Sequence, residues 1–163
     1  MATIAYLALG SNLGKRRKTL KSALKALEAT PGIASVVCSP FVESAALTLD
    51  GVDETMPAYI NAVARIETKL KPKELLTEIR RIEKEHGRIR LERWGSRTLD
   101  IDILTFGDEL RAGKELTIPH PRAFERAFVL VPWALLDPEA LLPGHGNVAK
   151  LAESMHSQVV VKE

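Results

Sequence analysis

Apolar residues change period several times along the chain, and each change marks an element. Residues 3–9 (TIAYLAL) form a short apolar run closed by Gly10, which predicts a buried strand. Ser11 or Asn12 then suits a helix cap. Leu20, Ala23, Leu24 and Leu27 recur at helical spacing, which predicts a helix over 14–29 that stops at Pro31-Gly32. Residues 33–46 (IASVVCSPFVESAA) are rich in β-branched side chains and predict a strand, with Pro40 marking an edge or a bulge. Residues 47–57 (LTLDGVDETMP) predict a long loop turning at Asp50-Gly51.

The same sequence of periods then recurs. Residues 58–68 alternate, with Ile60, Ala62, Ala64 and Ile66 on one face and Tyr59, Asn61, Val63 and Arg65 on the other. Pro72 opens a helix whose apolar stripe is Leu75, Leu76, Ile79 and Ile82, and Gly87 closes it. After an irregular stretch, 87–96, residues 99–106 (LDIDILTF) predict a strand ended by Gly107-Asp108. The order is β-α-β-β-α-β: an α+β fold of ferredoxin-like type, an antiparallel sheet with helices on one face. C-terminal extensions follow: a hairpin over 110–118, a helix over 126–136, a short helix over 147–155 and a strand over 158–162.

Composition narrows the class without naming a chemistry. With 163 residues the chain suits one domain spanning 1–163. Lys plus Arg number 23 and Asp plus Glu 21, so no global charge excess points to nucleic acid or a membrane surface. The single cysteine, Cys38, fits a reducing cytoplasm. The N-terminal stretch lacks the basic leader and long apolar core of a signal peptide, and no apolar run is long enough to span a bilayer.

Asp100 and Asp102 carry the strongest chemical signal. They interrupt an apolar strand on one face, with Cα atoms about 6.5–7 Å apart, and aspartate is disfavoured in strands. Carboxylates so placed repel unless a cation or proton lies between them, and their hard oxygens suit Mg²⁺. Arg88, Arg90, Arg93 and Arg97 crowd the preceding stretch around Trp94, and His120, Arg122 and Arg126 follow later. Planar guanidinium donors match phosphate oxygens, so the combination points to phosphoryl transfer. Taken singly, each arginine reads better as a solvated charge balanced by Glu85 and Glu92; the cluster together with Asp100 and Asp102 does not. No GxxxxGK[ST] segment is present. Gly10-Ser-Asn-Leu-Gly14 reads as a turn and cap, and Lys15-Arg-Arg-Lys18 as a solvated face.

Residues 93–104 (RWGSRTLDIDIL) closely resemble the signature of the 6-hydroxymethyl-7,8-dihydropterin pyrophosphokinase family. The likeness extends through AYLALGSNLG, YINAV, RIEKEHGR and IPHPRAFERAFVLVP, and so spans most of the chain. The resemblance implies transfer of pyrophosphate from ATP to the hydroxymethyl oxygen of the pterin, releasing AMP, in folate biosynthesis. It implies two Mg²⁺ ions on Asp100 and Asp102. Arg88 and Arg97 join them as catalytic residues, and Arg88, Arg90, Arg97, His120 and Arg126 match positions around the ATP phosphates. Glu83 matches a nucleotide-side position. Asn61 matches the residue that hydrogen-bonds the pterin, Tyr59 and Phe128 the two aromatics that sandwich it, and Trp94 a residue of a covering loop. Ser44, Ala45 and Leu47 complete the pterin side.

Ser44-Ala45 stands where relatives often have Thr-Pro, and the Arg-rich stretch is one residue shorter than in some of them. For the proton of the attacking alcohol, Asp102 and a metal-bound water are the two acceptors. The expected partners are ATP and the pterin, with no nucleic acid and no membrane, and the expected assembly is a cytoplasmic monomer. Two alternatives compete: a single-stranded RNA-binding module, disfavoured by the missing RNP motif and by unscreened aspartates facing a phosphate backbone, and a two-metal nuclease or nucleotidyltransferase using the same carboxylates.

Overall fold

A computed structural model describes residues 2–12, 15–44, 46–48, 51–53, 59–87 and 99–162. The chain begins with β1 (Thr3–Ser11) and α1 (Arg16–Glu28). β1 runs two residues past its predicted end, because the ladder to the neighbouring strand continues through Gly10 and Ser11. Ser11 therefore closes the strand and does not cap the helix. α1 starts behind Lys15 with no side-chain capping bond, so backbone pairing has displaced the local cap.

The predicted 33–46 strand is split at Pro40 into β2 (Ile33–Cys38) and β3 (Phe41–Ser44). Proline cannot donate to a ladder, so the break falls where the sequence requires it. The predicted loop contains a small hairpin, β4 (Ala46–Thr48) and β5 (Gly51–Asp53). β6 (Tyr59–Thr68) is the long central strand. α2 (Pro72–Glu85) has Pro72 in its first turn and Glu74 accepting from the Lys71 N–H. Gly87 follows with φ +79°, a left-handed conformation in which glycine closes helices. β7 (Asp100–Phe106) completes the core pattern.

The principal sheet has the order β3-β6-β1-β7, wholly antiparallel, with β2 also on β6. Beyond β7 lie β8 (Arg111–Ala112) and β9 (Thr117–Ile118), which pair as the predicted hairpin. α3 (Ala127–Leu136), β10 (Leu141–Leu142), β11 (Gly146–Asn147) and α4 (Val148–Ala152) follow. The last strand, β12 (Val160–Lys162), is shorter than predicted, because residues 156–158 form a 3₁₀ turn; it pairs with β3 at the sheet edge.

The sheet is covered on both faces, a correction to the one-sided arrangement expected. On the first face Leu7, Leu9, Ile66, Ile101 and Ile103 pack with Leu20 and Leu27 of α1 and Leu75, Ile79 and Ile82 of α2. On the second face Val42, Val63 and Leu104 pack with Leu130, Val131 and Trp133 of α3 and Val148 of α4. The sequence of α3, AFVLVPWALL, has almost no polar side, so a second buried layer is the arrangement that shields it. Tyr6 ties the layers together: its hydroxyl donates to Asp137 Oδ2 at 2.5 Å just after α3. Among the described residues no helix is long and apolar enough to cross a membrane.

Candidate active site

On the α3-bearing face the polar residues collect at one end of the sheet. Register alone brings them together. Gly10 of β1 lies between Asn61 of β6 and Asp100 of β7, and Ala8 lies between Val63 and Asp102. Strand spacing puts Asn61 and Asp100 about 10 Å apart across the small residue between them. Tyr59 and Asn61 share this face, as their alternation requires. The floor between the amide and carboxylate sides is thus made of Gly10 and Ala8, which rise little above the sheet.

Asn61 is buried and its amide is held: Nδ2 donates to Ser44 Oγ at 3.2 Å. Tyr59 and Phe128 are both half-buried. Phe128 packs against the second core, and the Arg126 guanidinium carbon lies 5.7 Å from its ring centroid, a cation–π contact. Arg126 immediately precedes α3, so the helix start positions both residues.

His120 faces the carboxylates from the connection after β9. Its backbone N–H donates to Leu104 O at 2.9 Å, which anchors that connection to β7. Its Nδ1 accepts from the Arg122 N–H at 3.1 Å, so in the neutral ring Nε2 carries the proton. Nε2 lies 3.9 Å from Asp102 Oδ2, too far for a hydrogen bond. Burial, and then the charges of Arg126 and Arg122, push the imidazole pKa down to about 4, outweighing the opposite pull of Asp100. At neutral pH this histidine is a neutral donor and the contact with Asp102 is not an ion pair.

A pH dependence of stability follows. Between the ordinary histidine value of 6.5 and about 4, the unfolded chain binds a proton that the folded protein does not. The His120 contribution is complete above that window and is lost as the pH falls through it. NMR titration of the ligand-free protein should show the His120 ring still neutral at pH 5.5. A midpoint near the ordinary value would mean that the ring is not desolvated.

Glu83 approaches β7 from α2. It is 3% exposed, and its Oε2 accepts the Ile101 N–H at 2.9 Å. Ile101 stands between the two aspartates on β7, the outer strand of the described sheet, so the acid occupies a backbone donor that an edge would leave open. The expected nucleotide-side residue thus touches the backbone between the carboxylates.

The structure therefore brings Tyr59, Asn61, Ser44, Asp100, Asp102, Glu83, His120, Arg126 and Phe128 to one end of the sheet. Arg88, Arg90, Trp94, Arg97 and Ala45 lie outside the described residues, and Leu47 is described only as the backbone partner of Val52. The solvated reading of residues 15–18 fits their position around an open cleft of about 540 Å³ with Glu43, Ile60 and Lys162. There Arg16 pairs with Glu43 at 3.6 Å. Gly10, which closes the apolar run in the sequence pattern, lies inside the paired strand. A glycine interrupting an apolar strand pattern is itself a signal of close approach.

The 7,8-dihydro-6-hydroxymethylpterin-pyrophosphokinase (HPPK) family model matches residues 6–138. A 2-amino-4-hydroxy-6-hydroxymethyldihydropteridine pyrophosphokinase of Haemophilus influenzae is 42% identical over 158 residues, covering 97% of this chain and 96% of its own. The enzyme of that name from Pseudomonas aeruginosa is 42% identical over 146 residues, 90% of this chain and 88% of its own. Among solved structures, wild-type Plasmodium falciparum HPPK-DHPS with pterin and p-hydroxybenzoate superposes with a TM-score of 0.72 at 17% identity. That match covers 96% of this chain and 42% of the Plasmodium chain, so it speaks for the fold, and this chain spans less than half of that protein.

Proposed function

The chain belongs to the 7,8-dihydro-6-hydroxymethylpterin-pyrophosphokinase family, and from that premise we propose a division of labour along the row Asn61–Gly10–Asp100. The enzyme transfers pyrophosphate from ATP to the hydroxymethyl group of 6-hydroxymethyl-7,8-dihydropterin, in folate synthesis. The observation that supports the residue assignment is the register. Gly10 pairs on one side with Asn61, whose amide donates to Ser44, and on the other with Asp100, the first of the two carboxylates.

On the pterin side, Asn61 offers amide hydrogen-bonding groups to the ring edge, and Tyr59 and Phe128 supply the stacking faces. Ser44 fixes the amide, and Ala45, Leu47 and Trp94 join this side from the family likeness. On the phosphate side, Asp100 and Asp102 are the Mg²⁺ ligands. Both are only partly buried, and a pair of hard carboxylate oxygens fits an ion that keeps waters and takes phosphate oxygens. When bound, two such ions neutralise the triphosphate and orient it.

His120 donates from Nε2 to a phosphate oxygen as a neutral group, and Arg126, steadied against Phe128, supplies positive charge. Arg88, Arg90 and Arg97 complete the cationic side, and Glu83 supports it through Ile101. Proximity between the alcohol and the β-phosphorus, set by a row about 10 Å wide, does most of the work, because a primary alcohol needs positioning more than activation in such transfers.

We read the strand order as ferredoxin-like, the chain as one domain, and the enzyme as a cytoplasmic monomer, a compartment consistent with its single cysteine. The test is AMP release with ATP and Mg²⁺, with and without hydroxymethyl-dihydropterin. Release that depends on the pterin is expected. Equal release without it would replace this reading with that of a two-metal nuclease or nucleotidyltransferase.

A further inference from the structure

Gly10 has no conformational reason to be glycine. It lies within β1, paired on both sides, and is not among the glycines with positive φ. In such a position glycine weakens a strand, because it loses more freedom on folding and packs nothing. The reason lies across the strand. A Cβ built on Gly10 would stand 2.6 Å from Asn61 Oδ1, far inside contact distance, while Asn61 Cγ would be 3.7 Å away and Tyr59 Cδ1 3.6 Å away. Among the described residues the one atom so close is the amide oxygen of Asn61, the movable end of a side chain, and the space a methyl group would fill is the space that oxygen uses.

We propose that Gly10 is a positioning residue for pterin recognition: its missing side chain is the notch that fixes the Asn61 amide. Ser44 holds the amide by its nitrogen, and the notch admits its oxygen. Two-point fixation defines which edge of the amide donates and which accepts, as the flat donor–acceptor edge of a fused heterocycle requires. Alanine at this position drives Oδ1 out of the notch and turns the amide away from that edge, with the carboxylate side of the row left in place. This rests on the assignment of Asn61 to the pterin, so the test includes a control for that assignment.

The experiment is a double-mutant cycle on G10A, N61A and G10A/N61A, with KM for pterin, KM for ATP, kcat and thermal unfolding measured for each. G10A should raise the pterin KM about 10-fold or more, as expected when an amide hydrogen bond is lost, and change the ATP KM less than about 2-fold. In the N61A background the same glycine change should add less than about 2-fold, because the group it displaces is gone. An unchanged pterin KM in G10A, equal losses for ATP and pterin, or full additivity would overturn the proposal. If G10A alone does not fold, G10A/N61A should fold as N61A does, since the obstructing oxygen is absent; failure of both would also overturn it. An unchanged pterin KM in N61A itself would instead remove the assignment of Asn61, a separate outcome.

Discussion

Alanine at Asp100 or at Asp102 is expected to lower kcat about 10³-fold, the scale on which preorganised charge at a phosphoryl centre acts. The fold should be indifferent to either change. Each aspartate is only partly buried, and its backbone stays paired with β1 through Gly10 or Ala8. Truncation opens no cavity, and substitutions at such positions usually cost within about 0.5 kcal/mol, so the unfolding midpoint should stay within about 3 °C. A second reading separates a chemical role from a structural one. Adding Mg²⁺ and a non-hydrolysable ATP analogue should raise the midpoint of the wild type by mass action and do so far less in either variant. Wild-type turnover in both single variants would remove the carboxylates from the mechanism.

The largest loss of stability is expected at Glu83. Glu83→Ala removes the buried acceptor of the Ile101 N–H. An orphaned buried donor costs about 1–3 kcal/mol, and the vacated volume adds to that. A loss of about 2–4 kcal/mol corresponds to a midpoint drop of roughly 4–16 °C in a chain of this size. Glu83→Gln keeps an oxygen in the same place and should recover most of the loss. The strand held by this bond carries both aspartates, so activity should fall with Glu83→Ala below its melting range as well. Thermal unfolding and kcat measured on both variants decide the matter. Equal destabilisation by glutamine would mean that the charge, and not the accepting oxygen, secures β7.

Elements with strong periodicity were legible from the sequence alone. The alternation over β6, the stripe and proline of α2, and the Asp-Ile-Asp interruption of β7 each state their own geometry, because local backbone sterics and the side-chain period are properties of neighbours in the chain. Pro40 likewise announced the break between β2 and β3. The end of β1 was not legible. Whether Gly10 and Ser11 leave the strand as a turn or stay in it depends on partners far along the chain, Asn61 and Ile60 on one side and Asp100 on the other. A local cap for α1 was a reasonable expectation that a long-range ladder outcompeted. The second helical layer was half legible: the apolar α3 predicted burial but not against which face of the sheet.

The candidate site divides in the same way. Residue type and spacing, with the family likeness, nominated the aspartates, His120, Asn61 and the aromatics as candidates, since a carboxylate pair for a metal or a ring for stacking must be a particular kind of side chain. What the sequence by itself determined is therefore the local geometry of the elements and the chemical vocabulary of the site. The tertiary structure decided the placement. It put Asn61, Gly10 and Asp100 in one row, set Glu83 against the backbone between two carboxylates, and kept His120 neutral among cations. Those relations arise from register and burial, which are set by contacts between segments tens of residues apart, and no local pattern encodes which residue a strand will face once the sheet has closed.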